Sequence, residues 1–184
     1  MGNLDLTNSP LLPFSKKWIP NLCKWIKCLD DLIYWSGNTF HEQGFSPSSL
    51  SNHLDNQYIL PLMQLNNEGG LIAYGEIVKK NKLRRLNLCR IIVHPDQRGQ
   101  GIGYQFCKSL IHICLSLEAY ESVRLNVLEK NKRALSCYLS LGFSKISVLP
   151  KARKIGRIEQ DVIIMSKSLK KEYCEKSQWR IGAF

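Results

Sequence analysis

The chain has 184 residues, with 44% hydrophobic and 22% charged side chains. That length and balance suit one domain able to bury about 70% of its unfolded surface, and they exclude a disordered or low-complexity chain. Lys and Arg number 26 against 15 Asp and Glu, a net charge of +11, a field that attracts anions: nucleic acid, an acidic membrane face or a polyphosphate ligand. No groove-reading motif accompanies the charge, which argues against nucleic acid, and no apolar run approaches the roughly 20 residues of a membrane span.

Trp18 to Leu29 carries apolar residues at Trp18, Leu22, Trp25, Ile26 and Leu29, which predicts a helix with Pro20 in its first turn. Ser46-Pro47 opens a second helix as N-cap and first residue, leading to Leu50 and Leu54. Tyr58 to Leu65 is strand-like, and Pro61 makes it an irregular or edge strand. A polar turn at Asn66 to Gly70 separates it from a strand at Leu71 to Val78. Leu83 to Val93 follows and ends in a nearly continuous apolar run, which predicts a central buried strand.

After this strand comes His94-Pro95-Asp96-Gln97-Arg98-Gly99-Gln100-Gly101-Ile102-Gly103, and then a helical stripe at Ile102, Phe106, Leu110, Ile113, Cys114 and Leu117. Ser122 to Leu128 is a short strand, so the three pieces form a right-handed strand–helix–strand unit with parallel strands. Asn131 caps a further helix that ends at Gly142, a suitable left-handed residue, with Phe143 folding back on it. Strands at Ile146 to Leu149 and Ile158 to Met165 close the pattern and flank a basic hairpin with a cluster at Lys151–Arg157. The class is mixed α/β in a single domain over 1–184, with its core at about 4–169 and a basic tail at 170–184.

The seven cysteines, Cys23, Cys28, Cys89, Cys107, Cys114, Cys137 and Cys174, show no CxxC pair and no zinc spacing. They read as reduced, buried small hydrophobes of a cytoplasmic protein, one of which could be a reactive thiol. The N-terminus has no signal sequence, and Leu6 stands where a myristoylation site wants Ser or Thr.

Arg98 to Gly103 joins an apolar strand to an amphipathic helix, where unpaired backbone N–H groups and close-approach glycines bind phosphate oxygens. A Walker loop is excluded because no Lys-Ser/Thr follows, and a dinucleotide fingerprint fails because Tyr104 or Phe106 falls on its last glycine. What stands is Arg-x-x-Gly-x-Gly after Val93-His94-Pro95. The segment Ile91 to Leu110 resembles the acyl-CoA-binding motif of the GNAT N-acetyltransferase superfamily. Asn131 to Ala134, then Tyr138, then Leu141-Gly142-Phe143, resembles that family's second signature at the right spacing. The close match covers residues 86 to 143.

The resemblance implies the GNAT fold: N-terminal helices and a mostly antiparallel sheet with one splayed parallel strand pair. It implies acetyl-CoA as acyl donor, without a metal, and transfer of the acetyl group to a primary amine of a small molecule or peptide. The pantetheine arm would lie between strands splayed near Ile91, Ile92 and Val93 on one side and Asn126 to Leu128 on the other. The pyrophosphate would sit on the N–H groups of Gly99, Gln100, Gly101, Ile102 and Gly103, with Arg98 at the mouth. Asn131 would contact the arm, cap its helix, or both. Tyr138 would donate a proton to the leaving thiolate, and a backbone N–H near Ile92 or Val93 would stabilise the oxyanion.

Many family members carry a Glu on the strand before the motif, whereas Leu86 to Val93 holds no Asp or Glu. Glu76 on the preceding strand is one candidate base, and His41 and Glu42 are others. Tyr34, Trp35, Phe40 and His41 would border the acceptor pocket or pack the first helix on the sheet. His94 is expected in the turn before the phosphate loop. A protein N-terminal or lysine acetyltransferase is the alternative within the class, and a non-catalytic acyl-CoA-binding module is the alternative outside it. The assembly is expected to be a monomer or homodimer.

Overall fold

The apolar run before the glycine-rich segment forms β4 (Arg85–Val93), and the helical stripe after it forms α4 (Ile102–Ser116). The chain returns as β5 (Ser122–Leu128), parallel to β4. The structure is a computed structural model that describes residues 10–40 and 44–170. His41, Glu42 and Cys174 lie outside the described residues.

β4 and β5 are the middle of a seven-stranded sheet. On one side β4 pairs with β3 (Leu71–Lys80), which pairs with β2 (Ile59–Leu65) and that with the short β1 (Leu12–Pro13). On the other side β5 pairs with β7 (Ile158–Ser168), and β6 (Ser144–Ile155) is the outer edge. Every neighbouring pair except β4–β5 is antiparallel. The Pro61 carbonyl accepts from the Phe14 N–H at 2.9 Å. Its missing N–H therefore also faces the edge side, and the β2–β3 ladder loses nothing.

The β4–β5 ladder holds only Arg85↔Ser122, Leu86↔Val123 and Asn87↔Arg124. The strands then part and run on to Val93 and Leu128 without pairing. The splay thus begins nearer their start than expected, at Leu88 and Leu125.

Alternating side chains supply two main cores, one on each face of the sheet, and Ile33, Leu128, Ile155 and Val162 form a smaller third cluster. Ile72, Ile77, Leu86, Val123 and Met165 pack with Phe106, Leu110 and Cys114 of α4 and Leu135 of α5 (Lys132–Ser140). On the opposite face Met63, Leu71, Tyr74 and Ile92 pack beneath three short N-terminal helices. Asn131 caps α5, its Oδ1 accepting from the Ala134 N–H at 3.2 Å. α5 ends in a Schellman turn: Gly142 has φ +83°, and the Phe143 N–H reaches the Tyr138 carbonyl at 3.0 Å.

The N-terminal helices differ from expectation. The stripe from Trp18 to Leu29 is not one helix but α1 (Ile19–Lys24), preceded by a 3₁₀ turn at Lys16–Trp18, and then α2 (Leu29–Ser36). Extended Cys28 (φ −149°, ψ 172°) breaks the helix. Its Sγ accepts from the Asp31 N–H at 3.5 Å, and the Asp31 carboxylate accepts from the Lys27 N–H at 3.0 Å. With Asp30 and Asp31 in the first turn, this reciprocal cap gives α2 its own start. Cys28 is consequently exposed rather than buried. α3 (Pro47–Leu54) opens as read, with Ser46 and Ser49 forming a capping box.

Candidate active site

The gap between β4 and β5 opens into a cavity of about 490 Å³. Asn131, Ala134 and Tyr138 of the α5 segment line one part of it. Tyr34 and Trp35 of α2, the turn from Ser36 to Thr39, and Arg153 of β6 line another. Because α5 and α2 pack on opposite faces of the sheet, the cavity joins the two faces through the splay.

The loop from His94 to Gly101 carries β4 into α4. His94 caps its 3₁₀ turn, Nδ1 accepting from the Asp96 N–H at 3.3 Å, and its ring stands edge-on to Trp25. It belongs to the turn, as expected. Gly99 and Gly101 have φ of +83° and +81°. No side chain caps the α4 N-terminus at Gly101, and a Cβ added there would meet no atom within 4 Å. The helix's first N–H groups thus have no side-chain cap and the space beside Gly101 is open, the arrangement that receives phosphate oxygens. Arg98 Nε donates to the Val93 carbonyl at 3.2 Å, which holds its guanidinium at the loop. A Cβ at Gly99 would lie 3.4 Å from Arg133 Nη2. Arg133, in the first turn of α5, is thus a second cation at this loop, and the sequence reading passed over it. These residues fit the pyrophosphate of a CoA thioester, and the unpaired side of β4 beyond Asn87 fits its amides.

Tyr138 lines the cavity near Asn131. Burial pushes its phenol well above the usual tyrosine range, and the neighbouring thiols Cys107, Cys137 and Cys89 push it the same way. The phenol is therefore held protonated, as a proton donor requires. Its ring packs edge-on against Phe143 at 6.0 Å, fixed by the Schellman turn below it. Cys89 also lines the cavity, but burial raises its pKa, which keeps it a thiol and not a nucleophile.

The apolar reading of β4 overlooked Arg90. Tyr74 pairs with Ile92 and Glu76 with Cys89, so two residues of β4, Arg90 and Ile91, oppose Gly75 alone. Arg90 sits in this bulge at φ +49°. The bulge turns its side chain onto Glu76, to which both Nε (2.7 Å) and Nη2 donate, while Nη1 reaches Thr39 Oγ1 at 3.1 Å. Tyr74 donates its hydroxyl to Glu76 Oε1 at 2.6 Å, and His53 Nε2 lies 3.0 Å from Oε2. Burial alone would raise the Glu76 pKa. The hydrogen bonds from His53 and Arg90 and the Arg90 charge outweigh it and hold the carboxyl below its ordinary value.

Glu76 is fully buried and does not line the cavity, and both of its oxygens are engaged. This geometry runs against Glu76 as the base, because an ionised carboxylate bound to an arginine has little affinity for a further proton. Its observed work is to hold Arg90.

Among the other expected site residues, Ile91 and Asn126 line the cavity. Ile92 instead packs in the core beneath the N-terminal helices, and Val93 packs near Gly103, whose added Cβ would lie 3.6 Å from it. Tyr34 and Trp35 line the cavity, with Trp35 Nε1 donating to the Arg90 carbonyl at 2.7 Å. Phe40 is 3% exposed, stacks on Trp35, and lines a separate hollow of about 440 Å³ beside His53. It is packing for the first cavity rather than lining. Besides Arg90 and Arg133, the sequence reading did not single out His53 or Arg153. The signal for Arg90 was a charge inside a central strand.

A family model described as the acetyltransferase (GNAT) family matches residues 25–143. The fold is that of a spermidine N-acetyltransferase from Vibrio cholerae, solved with CoA and spermine (TM-score 0.74, 18% identity, 86% of this chain and 94% of that one). It is also that of the ribosomal-protein-S18-alanine N-acetyltransferase of Escherichia coli (TM-score 0.70, 19% identity, 89% and 96%). A bovine thialysine N-epsilon-acetyltransferase is 41% identical over 61 residues, which are 33% of this chain and span about a third (35%) of that relative. The family model covers well over half the chain, and it takes in both the glycine loop and the Asn131–Phe143 segment: the chain belongs to the GNAT acetyltransferase family.

Proposed function

We propose that this protein transfers the acetyl group of acetyl-CoA to a primary amine. The observation that carries the reading is Tyr138, held protonated in a cavity that opens between the two strands the glycine loop connects. The relatives' names point the same way, to spermidine, to a ribosomal-protein alanine and to thialysine as acceptors of those proteins.

Arg98, Arg133 and the N–H groups from Gly99 to Gly103 would hold the pyrophosphate. The open side of β4 would hold the pantetheine amides, with Asn131 and Asn126 nearby. Acetyl-CoA supplies an activated acyl carbon whose leaving group is a thiolate. The amine nitrogen bonds to that carbon, the carbon–sulfur bond breaks, and Tyr138 protonates the sulfur. A backbone N–H near Ile92 or Val93, just past the Arg90–Ile91 bulge, stabilises the oxygen charge in between. Among the described residues no Asp, Glu or His lines the cavity, and the amine must still lose a proton, to a base or along a water path. The products are the N-acetyl amide and the free CoA thiol.

No helix among the described residues is long and apolar enough to cross a membrane. The six described cysteines are free, in keeping with a reducing, cytoplasmic setting. The reading is tested by thiol release from acetyl-CoA against a panel of amines and peptide N-termini. Amine-dependent release that weakens in Tyr138→Phe supports it. Tight acetyl-CoA binding with no release on any amine favours the acyl-CoA-binding module.

A further inference from the structure

Two charged side chains line the cavity between β4 and β5, and both are arginines: Arg90 from β4 and Arg153 from β6. No described lining residue is an acid to set against them. Both lie toward the face of the sheet that carries α2, away from Asn131 and Tyr138.

The two cations are not equivalent. Arg90 is neutralised by Glu76. Arg153 is half-buried and has no carboxylate partner among the described residues. Its Nη1 donates to the neighbouring Ala152 carbonyl at 2.7 Å. The acids across the hairpin are engaged elsewhere: Glu159 pairs with Lys151, and Asp161 Oδ1 accepts from the Lys151 N–H at 2.8 Å.

The backbone places this guanidinium where it is. The β6–β7 register shifts between Leu149 and Arg153, with Lys151 at φ +52°, and such a bulge re-aims the side chain that follows it. Opposite, the chain leaves α2 through Gly37, at φ +61° and ψ −126°. A Cβ on Gly37 would lie 3.2 Å from Arg153 Nη2, so this glycine clears the space that the guanidinium occupies.

A partly desolvated guanidinium facing a cavity without a counter-charge is matched by a planar anion, which it can bind through two parallel hydrogen bonds. We propose that the acceptor is a small primary amine that also carries a carboxylate, and that Arg153 binds this carboxylate. Among the described lining residues, a polycationic amine would meet the unpaired Arg153 guanidinium, the Arg90 guanidinium already paired to Glu76, and no acid. The inference rests on the reading of the cavity as the site of acetyl transfer.

The test is thiol release from acetyl-CoA with matched pairs: straight-chain ω-amino acids of graded length against alkylamines and diamines of the same length, with spermidine included. The account expects kcat/KM to favour the carboxylate member of the best pair by roughly 10- to 100-fold, the range for a hydrogen bond to a charged group. Arg153→Gln should bring that ratio toward one, chiefly through KM, and Arg153→Lys should restore part of it. Equal or better turnover of the plain amines or of spermidine overturns the proposal. So does an Arg153→Gln variant that slows both members in proportion, as a structural defect would. Should the protein bind acetyl-CoA without turning over, titration of 6-aminohexanoate and hexylamine into the CoA-saturated protein decides: tighter binding of the amino acid supports the proposal and equal binding overturns it. Absence of acetyl-CoA binding overturns the acetyltransferase reading itself.

Discussion

The Glu76 carboxylate accepts from both Nε and Nη2 of Arg90 across the β3–β4 bulge, and it is fully buried while doing so. Tyr74 and His53 complete its shell. Arg90 also lines the cavity and is tied to Thr39. The pair therefore links the N-terminal helices, the bulge and the cavity wall in one polar cluster.

Removing the charge of Glu76 should leave Arg90 buried and unpaired. Glu76→Gln is expected to lose about 3–5 kcal/mol of stability, the usual cost of breaking a buried ion pair from one side. Denaturant unfolding at neutral pH checks this. The pH dependence has a definite sign. The folded carboxyl titrates below its ordinary value of 4.5, so its stabilisation is present above that pH and is lost as the pH falls through the folded pKa. Glu76→Gln should flatten that acid limb. An acid limb identical in wild type and variant would show that the cluster does not couple to folding.

Tyr138→Phe should lower kcat by about 10²-fold, the lower range for a general acid, with acetyl-CoA affinity nearly kept. The phenol titrates well above 10, so the wild-type rate should not fall from loss of this proton as the pH rises from neutral toward about 10. Turnover unchanged by the substitution would remove Tyr138 as the acid.

Gly101→Glu tests the phosphate loop. Gly101 sits at φ +81°, so a side chain there costs about 1–2 kcal/mol in backbone strain. Space for it is open, so the protein should fold. The carboxylate would then occupy the phosphate position and repel it, and acetyl-CoA binding should disappear. Gly101→Ala, with the same strain and no charge, separates the two effects. Calorimetric titration of both variants reads the difference, and normal affinity in Gly101→Glu would misplace the site.

Gly75 stands opposite the two bulged residues of β4. A Cβ there would lie 2.8 Å from Phe106 Cε1 and 3.2 Å from Ile91 Cγ1. Gly75→Ala should therefore cost about 1–3 kcal/mol by overpacking. It should also raise KM by displacing Ile91 at the cavity wall. Pairing it with Phe106→Leu should recover part of the stability, as a melting experiment would show.

The elements proposed to carry the donor site could be read from sequence because each rests on local rules. Glycines before an amphipathic helix, Asn131 at a helix start and Gly142-Phe143 at its end fix their own backbone. The same rules served Ser46-Pro47. They failed at Trp18 to Leu29, where hydrophobic period suggested continuity and the Cys28–Asp31 cap broke it. They failed again at Arg90. Its environment depends on a register shift between two strands, and no local pattern in β4 announces which of its residues lacks a partner. Arg153 was hidden in the same way, since an edge strand with bulges reads only as a basic hairpin. Glu76 was read as a candidate base from its place on β3, but its environment depends on partners 14 and 23 residues away in the chain.

Thermal unfolding with and without acetyl-CoA, followed on the same samples by thiol release with an amine panel, tests the central claim most directly. Acetyl-CoA at about 100 times its dissociation constant should add roughly 2.7 kcal/mol of stability, and amine-dependent release of the CoA thiol should follow. No stabilisation at saturating acetyl-CoA, and no release with any amine, would contradict the account.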